Sequence, residues 1–246
     1  MGATQTGDTP AIVIQRGLHL ECVVVHNRRM SENSFDPETY STLEQMRSGQ
    51  WYLPKSKEPK EARRTAARTL REFNTTTDEI KQQDLLLDLL GQYDTEDTEV
   101  ESPIYIQYGV HTSIGKGSRI QANVTILDSA EVRIGERVNI SPGCQLYTAM
   151  PPVHDAQMRS YGWKRALPIT IEDDVWIGPG VTVLPGVTIG RKSVIAAGSV
   201  VDRDVPPHSI ASGNPVQVTK GIHAGASAER NELPAGVPFD LGEAER

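Results

Sequence analysis

An aliphatic residue returns every six positions through the middle of this chain, and that period limits its fold more than any other feature. Ile114, Ile120, Ile126 and Val132 stand six apart; the register slips by two and resumes at Ile134, Ile140 and Leu146. After an interruption it returns at Ile171, Ile177, Val183, Ile189, Ile195 and Val201. Four residues after most of these stands something small or β-branched, such as Ser118, Val138, Cys144, Val181 or Ser199. Gly often follows the aliphatic directly, as in Ile114-Gly115 and Ile177-Gly178. A period of six fits neither the helical 3.6 nor the twofold alternation of a long strand. It fits short strands joined by turns, with the aliphatic pointing into a narrow interior. No single coil can bury its own row, but coils stacked in parallel bury a continuous ladder. The expected fold is therefore mainly β. The glycines are expected at backbone angles that other residues resist.

The flanking zones read differently. From Asp36 to Leu90 the pattern is helical, with Tyr40, Leu43 and Met46, then Ala62, Ala66, Leu70 and Phe73, recurring at three or four residues. Arg63, Arg64, Arg68 and Arg71 fill the other face and read as a solvated or subunit-facing surface. Gly49 to Pro54 is a break, and Asn74 to Asp78 is a second break that caps a helix over Ile80 to Leu90. The expected organisation is an extension at 1–35, a helical segment at 36–100, a β-helix at 101–222 with a loop extruded at 147–168, and a disordered, flexible tail at 223–246. A net charge of -7 argues against a nucleic-acid partner. No stretch approaches the roughly 18 apolar residues of a membrane span. Cys22 and Cys144, the two cysteines, offer neither metal spacing nor a disulfide framework, so no metal and a reducing, cytoplasmic setting are expected.

Specific motifs stand on this frame. They include Met46-Arg47-Ser48-Gly49-Gln50-Trp51-Tyr52, Arg68 to Asn74, Tyr108-Gly109, Leu127-Asp128 and Val175-Trp176-Ile177-Gly178. Leu184 to Gly190, Ala197-Gly198-Ser199-Val200-Val201 and Gly213-Asn214-Pro215 follow in order. With them the chain resembles the hexapeptide-repeat acyltransferases, and within these the maltose, galactoside and nodulation O-acetyltransferases. The resemblance implies a left-handed parallel β-helix behind an N-terminal helical segment. It implies a homotrimer with sites between subunits and acetyl-CoA as co-substrate along the later coils. It also implies a histidine that deprotonates an acceptor hydroxyl, since an unactivated hydroxyl is a poor nucleophile and neutral imidazole a suitable base.

The chain departs from that pattern where the chemistry should be. In Thr148-Ala149-Met150-Pro151-Pro152-Val153-His154, a proline stands where the resemblance implies the catalytic histidine, and Trp163 follows Gly162 where it implies a glutamate. Two histidines are candidate replacements. His111 stands where the family has asparagine, and is a surface turn histidine, a relocated acid/base or a group that hydrogen-bonds substrate. His154, in the loop, is either solvated or able to swing into the cleft. Tyr108, Asp128, Trp176, Met150 and Trp163 are candidates for substrate binding. Asp128 matches an acceptor-binding aspartate of the family and equally suits a β-helix corner. Met150, the prolines, Val153 and Trp163 make the loop apolar, which suggests a hydrophobic small molecule. The coenzyme candidates are Gly178, Ala197, Gly198, Arg203 and Lys220, with Asp202 and Gln217 weakening the positive potential for phosphates. Cys144 reads as core. Acetyl transfer with a relocated base, a coenzyme-independent cyclase, isomerase or lyase, and a non-catalytic trimeric scaffold all remain compatible with these residues.

Overall fold

The computed structural model describes residues 41–221. The extension expected at 1–35 and the tail expected at 223–246 lie outside the described residues. The hexads form a parallel β-solenoid of the left-handed β-helix type with three faces. The first face stacks Gln92–Tyr93, Thr112–Ile114, Val132–Ile134, Ile169–Ile171 and Thr188–Ile189. The second stacks Glu99–Val100, Arg119–Ile120, Asn139–Ile140, Trp176–Ile177, Val194–Ile195 and Ser209–Ser212. The third stacks Tyr105–Ile106, Thr125–Leu127, Gln145–Tyr147, Thr182–Val183 and Val200–Val201. Successive hexad aliphatics visit the three faces in turn, so residues far apart in sequence pair in register. Ile114 pairs with Ile134, Ile134 with Ile171 and Ile171 with Ile189. Ile120, Ile140, Ile177 and Ile195 make the same ladder on the second face. All of these side chains are buried.

The small hexad position lies at the corners. There Ser118 accepts from the Val138 N–H at 3.0 Å and donates to the Gly135 carbonyl at 2.8 Å, tying one coil to the next. Cys144 occupies the same position, is buried, and points its thiol at the Gly178 carbonyl at 3.2 Å. Burial raises its thiol pKa, as suits a core side chain rather than a nucleophile.

The glycines that follow the aliphatics have a different reason from the expected one. Gly115, Gly135, Gly178 and Gly190 do not adopt positive φ; that conformation falls instead at turn residues such as Gly117, Asn123, Gly143 and Gly198. A Cβ on Gly115 would stand 2.7 Å from the Gly135 carbonyl oxygen, and one on Gly178 2.7 Å from the Ala197 nitrogen. The next coil's backbone fills the space. Gly115→Ala is therefore expected to destabilise the fold by about 1–3 kcal/mol, read as a lower urea midpoint with the slope unchanged.

A helical cap covers the open end of the solenoid. Helix α1 spans Leu43–Arg47, α2 Lys57–Phe73 and α3 Glu79–Leu89, the last capped by the Asp78 carboxylate at the Ile80 and Lys81 N–H groups. Ala66, Leu70, Phe73, Leu86 and Leu89 continue the solenoid core. Asn74 clamps the first coil, donating to the Ile104 carbonyl and accepting from its N–H, both at 2.9 Å. The coil domain starts earlier than the boundary at 101, because Gln92–Tyr93 and Glu99–Val100 already pair with the next coil. Tyr93 and Val100 stand outside the six-residue count, which hid that coil. At the far end Gln217–Gly221 folds back antiparallel on Ser209–Ser212.

Candidate active site

The two-residue insertions and the long loop fall at one corner, between the third and first faces. Two extra residues lie between Ile106 and Ile114, two more between Ile126 and Ile134, and the long loop between Leu146 and Ile171. Tyr108 to His111 therefore stacks on Asp128 to Glu131, and both lie beside the base of the loop.

Asp128 organises this corner. Its carboxylate, fully buried, accepts from the Tyr108 N–H at 2.7 Å, the Gly109 N–H at 2.8 Å and the Thr112 hydroxyl at 3.0 Å. Burial outweighs those bonds and pushes its pKa up to about 6. The side chain thus faces the turn above it, as the β-helix-corner reading of this residue expects. The Asp128 backbone carbonyl lies 2.8 Å from His111 Nδ1. A carbonyl can only accept, so Nδ1 carries the proton and Nε2 keeps its lone pair. His111 is 6% exposed, and burial lowers its pKa from the usual imidazole value. It is neither a surface turn residue nor charged at neutral pH.

His111 lines a cavity of about 380 Å³ against the first face. Arg47, Glu131 and Arg133 share its wall. Glu131 binds both guanidinium groups, Arg47 at 2.7 Å and Arg133 at 2.6 Å, and they hold its carboxyl below the usual range. Behind His111, the Tyr108 hydroxyl accepts from Arg63 at 2.9 Å, and the guanidinium carbon lies 5.8 Å from the ring centre. Arg63 also donates to the Pro54 carbonyl at 2.6 Å, so it is tied inward rather than solvated or subunit-facing as expected. Its place was legible: Pro59, Arg63, Ala66, Leu70 and Phe73 follow helical spacing along the buried stripe of α2. Tyr108 is buried and does not line the cavity wall.

The long loop is structured. It contains strands Ala149–Met150 and Lys164–Ala166 and helix α4, Ala156–Tyr161, with Asp155 capping at Met158 N and Gly162 ending it in left-handed conformation. Lys164–Ala166 pairs antiparallel with Ala149–Met150 and with Trp51–Tyr52 of the cap. Buried Thr148 anchors its root, accepting from the Ala130 N–H at 3.0 Å and donating to the Leu127 carbonyl at 2.7 Å. Arg159 donates to the Pro152 and Val153 carbonyls, at 2.8 and 2.7 Å, and holds that stretch against the helix.

Known proteins share this architecture. The family model "Bacterial transferase hexapeptide (six repeats)" matches residues 168–203, and "Maltose acetyltransferase hexapeptide capping motif" matches residues 45–94. Galactoside O-acetyltransferase of Escherichia coli is 36% identical over 181 residues, covering 73% of this chain and 89% of the relative. The chain belongs to the hexapeptide-repeat acetyltransferases. A maltose O-acetyltransferase from Clostridium difficile superposes with a TM-score of 0.71 at 36% identity, covering 74% of this chain and 98% of that one. A hexapeptide-repeat acetyltransferase from Vibrio cholerae, solved with acetyl coenzyme A, gives 0.70 at 37%, covering 74% and 99%.

Seen as a hexapeptide-repeat acetyltransferase, the chain scatters its other candidate residues. His154 is exposed on the loop and stands outside the His111 cavity wall, as do Met150 and Trp163. The wall carries charge, in contrast to the apolar stretch of the loop. Trp176 is half exposed on the second face and donates its indole N–H to Ser141 at 3.2 Å, away from His111. Gly178, Ala197 and Gly198 do meet, on adjacent coils at the corner between the second and third faces, where the Gly198 N–H donates to the Pro179 carbonyl at 2.9 Å. Arg203 is exposed at another corner and paired with Asp202, with contacts of 3.0 and 2.9 Å. Lys220 belongs to the last strand, and its side chain is outside the described residues. Arg47, Glu131 and Arg133 escaped sequence reading because nothing in the hexad period marks which outward residues meet the cap. Among the described residues no helix is long and apolar enough to cross a membrane.

Proposed function

We propose that this protein transfers the acetyl group of acetyl-CoA to an acceptor hydroxyl, with His111 as general base. The observation that carries the reading is the fixed tautomer of His111: a buried, neutral imidazole whose Nδ1–H is held by a backbone carbonyl beside a cavity. In the reaction Nε2 takes the acceptor's hydroxyl proton as the oxygen attacks the thioester carbonyl. The tetrahedral intermediate collapses with cleavage of the C–S bond, and the proton on Nε2 passes to the departing coenzyme A sulfur. Acid and base duties thus fall on one group whose lowered pKa favours the basic form at neutral pH.

Pro151 or Pro152 replaces the histidine that the loop would otherwise supply, and neither proline has a titratable group. That loss is what leaves His111 as the base. Gly178, Ala197 and Gly198, which meet at one corner, are the residues assigned to the coenzyme, and the Vibrio cholerae relative was solved with acetyl coenzyme A. The working unit is a cytoplasmic homotrimer. Threefold packing would cover the flat solenoid faces that leave Trp176, Tyr105 and Val218 about half exposed. The test is calorimetric titration with acetyl-CoA together with thiol release across a panel of hydroxyl acceptors. Saturable binding and acceptor-dependent release are expected. Absence of both would leave a coenzyme-independent protein in its place.

A further inference from the structure

We propose that the acceptor is a hydroxycarboxylate, its anionic group held by Arg47 and Arg133 while its hydroxyl meets His111. This rests on the acetyl-transfer reading and names the substrate class of the same site.

The wall of the cavity sets the chemistry. Two guanidinium groups and one carboxylate, Glu131, face it beside the imidazole, a net charge of one positive unit. Glu131 engages one terminal nitrogen of Arg47, and the Nε and one terminal nitrogen of Arg133. The other guanidinium N–H groups have no protein acceptor among the described residues. Arg47 comes from α1 of the cap and Arg133 from the outward row of the first face, so the cap and the solenoid together make the pair. Glu131 sits between them and fixes their spacing. A single carboxylate cannot neutralise two guanidiniums, and covering the remaining charge with a neutral or greasy ligand would remove water from it without replacement. An anion supplies the missing partner, and guanidinium geometry suits a planar carboxylate. The electrostatics connect the groups to the base: Arg47 lowers the His111 pKa and Glu131 raises it, so all share one local field.

The experiment compares each of lactate, 3-hydroxybutyrate, glucuronate and 4-hydroxyphenylacetate with its own methyl ester, reading coenzyme A release. For any acceptor that is turned over, the acid is expected to exceed the ester by about tenfold or more in kcat/KM, as befits a charge-assisted bond. Arg133→Gln should cut that preference below about threefold while the KM for acetyl-CoA stays in place. Arg133 is largely exposed, so the variant is expected to fold. Esters that equal or exceed their acids would overturn the hydroxycarboxylate assignment and leave acetyl transfer standing. If none of the eight compounds releases coenzyme A, the anion site is read by calorimetric titration of the four acids alone. Binding that is lost in Arg133→Gln supports the site, and absence of binding overturns it.

Discussion

Replacing His111 with asparagine is expected to lower kcat by about 100- to 10,000-fold, the usual cost of losing a general base. Asparagine is close in size and can still donate to the Asp128 carbonyl, so the corner should keep its shape. What disappears is the Nε2 lone pair. Circular dichroism and the thermal midpoint should change little, separating a chemical loss from a folding loss. His154→Ala is the control: its side chain is exposed on the loop, away from the His111 cavity wall, so near wild-type turnover is expected. Full activity in His111→Asn with loss in His154→Ala would transfer the base to the loop. The pH profile adds an independent reading. Burial lowers the His111 pKa, so the acid limb of the rate should lie below the usual imidazole value near 6.5. Arg47 contributes to that lowering, and Arg47→Gln should move the limb upward.

Truncating Asp128 to alanine is expected to destabilise the fold by about 3 kcal/mol or more. The change leaves the Tyr108 and Gly109 N–H groups and the Thr112 hydroxyl buried without their acceptor, each worth about 1–3 kcal/mol, partly offset by relief of the buried carboxylate. Urea denaturation reads the loss. The same carboxyl also gives a pH signature of definite sign. Its pKa rises from 3.8 to about 6 on folding, so between those values the native state holds a proton that the unfolded chain releases. This group's contribution therefore weakens as pH rises through that window, by up to about 3 kcal/mol. Asp128→Asn removes the titration. Wild type should lose stability relative to that variant between pH 4 and pH 7. An unchanged difference at the two pH values would show that the carboxyl does not titrate in the window.

The corner that holds both residues was only half legible. The slip of two after Val132 was visible as a break in a count, with nothing to say that it stacked on a similar insertion at Tyr108 to His111. The loop was legible as an interruption, yet its strand Lys164–Ala166 binds Trp51–Tyr52 of a segment that reads as a helix breaker. That pairing joins residues with no common period. Asp128 shows the limit most plainly. A family motif and a turn preference were both compatible with it, and only the three donors around its carboxylate distinguish a corner support from an acceptor contact.

The sequence by itself determined the solenoid, because a six-residue period is a local property that each coil repeats, and its aliphatics have nowhere to be buried except against the next coil. It also determined the helical cap and the family, through motifs spaced along one chain. The tertiary structure decided what the glycines are for, since their reason is the backbone of a coil distant in sequence. It decided the tautomer of His111, which depends on a carbonyl seventeen residues away. It decided the charge of the cavity, because Arg47 and Glu131 meet across eighty-four residues and no periodicity brings cap and solenoid into one count.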